Sequence, residues 1–225
     1  MPEISRLVVD VLTAEERALP VDADGHYEKY GIKFVELRVQ DLELLRTWRN
    51  HPDIQRFMVF REEITPAMQA EWYRAIDRER EVYTIIYFRG VAVGMTQLKR
   101  IDYPGKTAEG GIIIFRPEHQ NGLIPYRAAI GGMDSDFLHR GLETITATIR
   151  KSNTRAQRFA RSLGYTFDDP DPAGDVLRGR VIVDEYFRRA KKWRAVLDAD
   201  AAAIMLASAY ALWETESADP PSESP

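Results

Sequence analysis

The chain has 225 residues, 44% hydrophobic and 29% charged, with a formal net charge of −4, four histidines and no cysteine. That balance suits one folded domain plus appendages, and it excludes a disulfide framework, thiolate chemistry and a cysteine-based metal site. It carries no basic footprint for nucleic acid, no apolar window long enough to span a membrane and no signal-peptide pattern, so we expect no nucleic-acid or membrane partner, no metal and a cytoplasmic location.

Residues 1–32 are weakly patterned and read as an N-terminal extension. Leu7 to Val9 suits a strand, Thr13 suits the start of a short helix, and Asp22 to Gly31 reads as loop. From Lys33 the pattern firms into a strand through Val35 to Arg38, then a helix from Asp41 with Leu42, Leu45 and Trp48 on one face. Thr65 before Pro66 is an N-cap followed by a proline at the first helical position, and Met68, Trp72 and Ile76 then recur every four residues. Val82 to Phe88 and Val91 to Leu98 flank Arg89-Gly90, which predicts a hairpin. Gly94 inside the second strand marks a bulge or a close backbone approach, and Asp102 to Gly105 is a turn.

The next stretch organises the chain. Ile112 to Phe115 is a short apolar run stopped by Arg116-Pro117, the length of one buried strand. A polar loop from His119 to Gly122 leads into a helix carrying Ile130, Met133, Phe137 and Leu138 at helical spacing. A loop feeding a helix N-terminus is an anion site, because the first-turn N–H groups lack intrahelical partners and the dipole favours negative charge. Glu143 to Ile149 alternates as another strand. Asn153 then caps a helix with Ala156, Phe159, Ala160 and Leu163 on one face and Gly164 at its end. Arg155, Arg158 and Arg161 fall at i, i+3 and i+6, a pattern more often a solvated face than a phosphate contact. Asp168 to Asp175 is a loop, and Val176 to Phe187 reads as the last strand. Arg188 to Arg194 is a basic helix face, Ala199 to Leu212 is an Ala-rich helix, and residues 214–225 form a disordered acidic tail.

Three of these segments carry a family resemblance. Ala108-Glu109, Pro117-Glu118-His119-Gln120 and Arg127-Ala128-Ala129 resemble the donor-binding segment of the GNAT superfamily of N-acyltransferases, in the branch of ribosomal-protein, polyamine and sugar-amine acetyltransferases. Trp48-Arg49-Asn50, with Ile54 and Met58, resembles the W-R-N-x-x-x-I-x-x-x-M signature of that branch, and Asn153 to Tyr165 resembles its N-x-x-A-x-x-x-x-x-x-L-G-F/Y segment. Two departures stand out. Leu123 and Pro125 occupy the glycine positions of the pyrophosphate loop, and Ala160 stands where many members carry a tyrosine that protonates the departing thiolate.

The resemblance implies an α/β fold: a GNAT-like mixed, mostly antiparallel central sheet flanked by helices, with an extra C-terminal helix. It places the acyltransferase domain at residues 33–195 and an appended helix at 196–213, which either packs on its own domain or forms a homodimer. It implies an acyl-CoA-dependent N-acyltransferase with acetyl-CoA as donor substrate and a small-molecule or peptide amine as acceptor: a sugar-nucleotide amine, a protein N-terminus or a small amine. The alternative, which the loop and Ala160 favour, is a non-catalytic GNAT-fold binding protein. Amine transfer needs a proton acceptor, a polarised thioester carbonyl and a donor held in near-attack geometry. Glu109 is the candidate base, with Glu36 and His51 as alternatives. Ile113, Ile114, Phe115, Gln120, Asn121, Gly122, Leu123, Ile124, Asn153 and Phe159 are the expected donor-binding residues, and Arg49, Asn50 and His51 the expected acceptor-binding ones.

Overall fold

The computed structural model describes residues 26–169 and 172–217, with side chains from Tyr27 to Asp200. Eight strands make one sheet: β1 (His26–Lys29), β2 (Ile32–Glu36), β3 (Val82–Phe88), β4 (Val91–Asp102), β5 (Thr107–Ile114), β6 (Thr144–Arg150), β7 (Thr166–Asp168) and β8 (Val176–Ile182). Their order is β1-β2-β3-β4-β5-β6-β8-β7, and every neighbouring pair is antiparallel except β5 with β6. Helices α1 (Leu42–Asn50), α2 (Pro52–Gln55) and α3 (Pro66–Arg74) lie between β2 and β3. Helix α4 (Ile124–Leu138) crosses from β5 to β6, α5 (Thr154–Ser162) follows β6, and α6 (Val183–Ser217) follows β8. This is the mixed, mostly antiparallel sheet with flanking helices and a C-terminal helix that the sequence implies.

The local devices act as read. Thr65 Oγ1 accepts the Met68 N–H at 3.2 Å and starts α3, while Asn153 Oδ1 accepts the Ala156 N–H at 3.0 Å and starts α5. Arg89 and Gly90 both have positive φ, 50° and 76°, the two-residue turn that matches the twist of a hairpin. At Gly94 the backbones of β4 and β5 come so close that a Cβ would stand 2.4 Å from the Ile113 carbonyl oxygen. Burial then sorts the helices. Ile130, Met133 and Phe137 of α4 and Tyr186 and Leu197 of α6 pack one sheet face with Ile145. Leu45 of α1 and Ile54 of α2 pack the other with Tyr83, Ile85 and Met95, and Trp48 stacks on Phe115 at 4.2 Å.

Other elements differ from the reading, each for a tertiary reason. Strand β1 lies where the sequence looks like loop; pairing with β2 supplies its hydrogen bonds, and Tyr27 stacks on Phe34 at 4.5 Å. The three-residue β7 exists only as an edge on β8. The last strand stops at Ile182, because Tyr186, Phe187, Ala190, Arg194 and Leu197 are buried at helical spacing on α6. On α3 the buried side chain is Gln69, whereas Met68 is 38% exposed. Helix α6 continues through Ser217, so residues 214–217 are helical, and the rest of the expected tail lies outside the described residues. The strand at Leu7 and the helix at Thr13 lie outside them too. Among the described residues no helix is long and apolar enough to cross a membrane.

Candidate active site

The site begins where β5 and β6 part. They pair only over Thr107–Glu109 and Thr144–Thr146; beyond that β5 keeps β4 and β6 keeps β8. The Phe115 N–H donates to the Val93 carbonyl at 2.9 Å. In an antiparallel ladder such bonds alternate, so Gly111 and Ile113 also turn their backbone groups to β4, while Ile112 and Ile114 turn theirs into the gap. Gln120 Nε2 donates to the Ile114 carbonyl at 3.1 Å. Among the described residues the Ile112 and Ile114 N–H groups have no strand opposite them.

A cavity of about 360 Å³ occupies this gap. Ile112, Ile113 and Ile114 form one wall; Gln120, Asn121, Gly122, Pro125 and Tyr126 form the second. Asn153, Arg155, Ala156, Arg158 and Phe159 of α5 form the third, and Ile54, Phe57 and Met58 close the end nearest α2. An extended chain carrying amides fits an open strand edge as a further strand would, so the pantetheine arm of acetyl-CoA suits this wall. The phosphate end is built differently from a glycine nest. Gly122 takes φ +82°, but Leu123 caps α4 without a side-chain hydrogen bond, and Pro125 in the first turn contributes no N–H.

Seven of the ten expected donor residues line the cavity: Ile113, Ile114, Gln120, Asn121, Gly122, Asn153 and Phe159. Phe115, Leu123 and Ile124 do not. The Phe115 N–H is spent on Val93 and its ring lies under Trp48; Ile124 is 8% exposed within the core, and Leu123 packs against the α4–α6 core. Phe115 is held by β4 and Trp48, and the start of α4 draws Leu123 and Ile124 into the core, so an apolar run that is continuous in sequence lines the cavity only in part.

The acceptor candidates separate further. Asn50 is fully used, accepting the Ile64 N–H at 2.8 Å and donating to the Ile64 carbonyl at 2.9 Å, so it ties α1 to the loop before α3. His51 Nδ1 accepts the Asp53 N–H at 3.3 Å and caps α2 while exposed. Both shape the helical wall rather than line the cavity. Arg49 is different. Its Nε is closed from solvent without a hydrogen-bond partner, and burial lowers its pKa from the ordinary value. Glu109 lies outside the cavity lining, on the α1–α3 face of β5 by its parity with Ile113, and is ion-paired with Arg100. Lys99 is its cross-strand partner, and burial lowers that ammonium's pKa. Beside it the Tyr83 hydroxyl donates to Glu81 at 2.8 Å; burial and then Glu81 raise the hydroxyl's pKa. The result is a polar strip of Arg49, Glu81, Tyr83, Lys99, Arg100 and Glu109 on the α1–α3 face of the sheet.

Ala160 is 6% exposed and sits in the core, so that position offers no proton. The hydroxyl in the cavity wall belongs to Tyr126, which bonds Ser162 Oγ at 3.1 Å while its ring stacks on Trp193 at 3.7 Å. Tyr126, Arg155 and Arg158 are lining residues that the sequence reading did not assign to the site. For the arginines the signal was present as spacing, but spacing does not say which of three faces the cavity. Among the described residues no group of three or more His, Asp or Glu side chains is placed to hold a metal.

A sheet that splits beside an open strand edge, closed by a loop–helix and a capped helix, makes a cleft for an extended ligand. The family model of the GNAT acetyltransferase domain matches residues 32–166, and the chain belongs to this family of N-acetyltransferases. Among solved structures it is similar to spermidine N-acetyltransferase from Vibrio cholerae in complex with CoA and spermine, at 20% identity over 70% of this chain and 98% of that one, with a TM-score of 0.62. It is also similar to a domain from Methanocaldococcus jannaschii, at 21% identity over 68% and 98%, TM-score 0.59. A dodecameric structure of the Vibrio cholerae enzyme aligns at 18% identity over 71% and 98%, TM-score 0.58. At these identities the likeness is one of fold. No curated protein matches the sequence.

Proposed function

We propose that the chain transfers the acetyl group of acetyl-CoA to the primary amine of a small molecule or peptide, with the donor along β5 and the acceptor entering over Ile54, Phe57 and Met58. The observation that carries this reading is the gap itself: the Ile112 and Ile114 N–H groups face a cavity that runs from the α5 cap to the α2 wall. Acetyl-CoA, when bound, supplies the thioester acyl group. The strand's N–H groups hold amide oxygens or polarise a carbonyl, already oriented by the sheet. Glu109 is the proposed base, taking the amine's proton through water from its position beside Lys99 and Arg100. Asn153 borders the donor and fixes the start of α5.

The acceptor strip favours one substrate class within this reading. Three cations, Arg49, Lys99 and Arg100, stand against Glu81 and Glu109, and the Arg49 Nε has no partner. An amine that carries its own negative charge, such as a sugar-nucleotide amine or an acidic peptide terminus, suits that strip better than a polyamine. Titration calorimetry with CoA tests the donor, and an acceptor panel read by release of free CoA tests the class. Absence of CoA binding at millimolar concentration removes the enzyme reading and leaves a GNAT-fold binder. Preference for spermidine over anionic amines removes the acceptor assignment. We also propose that residues 201–217 of α6 are where a second copy docks; sedimentation velocity of the full chain against one ending at Asp200 decides it.

A further inference from the structure

Arg155 and Arg158 are exposed side chains of α5, and both line the cavity of the split sheet. The third arginine of the stripe does not: the Arg161 guanidinium lies over the Phe167 ring, 5.0 Å from its centre. Among the described residues no carboxylate lines the cavity, and its other polar side chains are Gln120, Asn121, Asn153 and the Tyr126 hydroxyl. Neither cavity arginine has an ion pair or hydrogen bond from its side chain among the described residues. Their position on the helix is also unfavourable when nothing negative is near. They sit in the first and second turns of α5, whose first turn holds no acid, so two cations stand at the positive end of the helix dipole. A cavity with two free guanidinium groups, a helix N-terminus and no carboxylate has the electrostatics of an anion site. The loop before α4, meanwhile, is one backbone donor short, because Pro125 in the first turn of the helix has no N–H.

We propose that Arg155 and Arg158 take over the phosphate grip on the CoA donor, their guanidinium contacts making up for the N–H that Pro125 does not offer. The inference rests on the donor reading above and adds the residues that hold the anionic end. Planar guanidinium groups suit phosphate oxygens through paired N–H bonds, so this grip tolerates a loop without glycines. The phosphate is either the pyrophosphate or the ribose 3′-phosphate, and the two differ in what 3′-dephospho-CoA binds.

The test is calorimetry of the full chain, Arg155→Gln, Arg158→Gln, the double variant and Arg161→Gln, each with CoA and with 3′-dephospho-CoA at low and high salt. CoA affinity is expected to fall about tenfold for each single change and about a hundredfold for the double change. The double variant should also lose most of the salt dependence of the parent. Arg161→Gln should bind as the parent does. The ligand-free double variant should melt at or slightly above the parent temperature, since two cations leave a helix N-terminus, which separates lost affinity from lost folding. A loss confined to CoA assigns the arginines to the 3′-phosphate; an equal loss with 3′-dephospho-CoA assigns them to the pyrophosphate. Unchanged CoA affinity in the double variant, or an equal loss in Arg161→Gln, overturns the proposal while the donor reading stands. A parent chain that binds no CoA overturns both.

Discussion

Asn153 carries two jobs in one side chain. Its Oδ1 accepts the Ala156 N–H at 3.0 Å, and the residue borders the cavity beside Arg155. Aspartate and asparagine cap equally well, whereas alanine leaves the first-turn donor unpaired. Asn153→Ala should therefore cost about 1 kcal/mol in urea unfolding and weaken CoA. Asn153→Asp should unfold as the parent does but bind CoA more weakly, by about 1 kcal/mol, because a carboxylate then faces an anionic ligand. Equal CoA affinity in the aspartate variant would reduce Asn153 to a cap. The same residue-level logic explains Asn50 and His51. Expected at the acceptor cleft as polar residues of a helix end, Asn50 binds the backbone of Ile64 in the loop before α3 and His51 the N–H of Asp53 in the next turn.

At the scale of elements, α4 is the axis to which β1 and α6 attach through buried charge. Asp134 is fully buried, lies 2.9 Å from Lys29 Nζ, accepts the Tyr186 hydroxyl at 2.6 Å and pairs with Arg194. Removing its charge strands two cations away from water, so Asp134→Asn should lose about 3–5 kcal/mol in urea unfolding. The triple change Lys29→Met, Asp134→Leu, Arg194→Met should recover most of that loss, because no charge is then left buried. Failure of the triple variant to recover stability would mean that the network positions α6 rather than merely neutralising itself. Two residues on, burial pushes the Asp136 carboxyl up to about 7, against the lowering effect of Arg140, with Asp134 raising it further. Tyr27 and Tyr165 also face it. The sign follows from the free carboxylate, near pH 4. The folded chain holds this proton more tightly than the unfolded one, so its contribution is complete below about pH 4 and is lost as pH rises to about 7. Asp136→Asn should remove that slope and gain on the parent between pH 5 and pH 7. Parallel stability curves for the two proteins would contradict the assignment.

For the whole molecule the question is where the fold ends. Tyr186, Phe187, Ala190, Arg194 and Leu197 are each at most 4% exposed, and Asp200 pairs with the buried Arg127. A full apolar side chain contributes about 1.5–3 kcal/mol on burial, so losing this face removes most of a domain's net stability. A chain ending at Ile182 should fail to fold, whereas one ending at Asp200, which keeps this buried face, should fold. Melting curves and CoA titration of both truncations test this. We accordingly propose that the acyltransferase domain, read from the sequence as residues 33–195, needs β1 before it and α6 as far as Asp200 after it.

Features written within a few neighbouring residues were legible in the sequence: the caps at Thr65 and Asn153, the Arg89-Gly90 turn, the close approach at Gly94 and the alternation of β6. The GNAT motifs belong to the same class, since each is a short stretch with its own geometry. What the tertiary structure alone decided depends on partners far along the chain. Register against β4 turns Ile112 and Ile114, rather than Phe115, into the gap; the fold directs Arg155 and Arg158 to the cavity and Arg161 to Phe167. Asp134 meets Arg194 across 60 residues and so fixes α6 on the domain. Periodicity sets which side chains share a face, but only long-range pairing sets what that face meets.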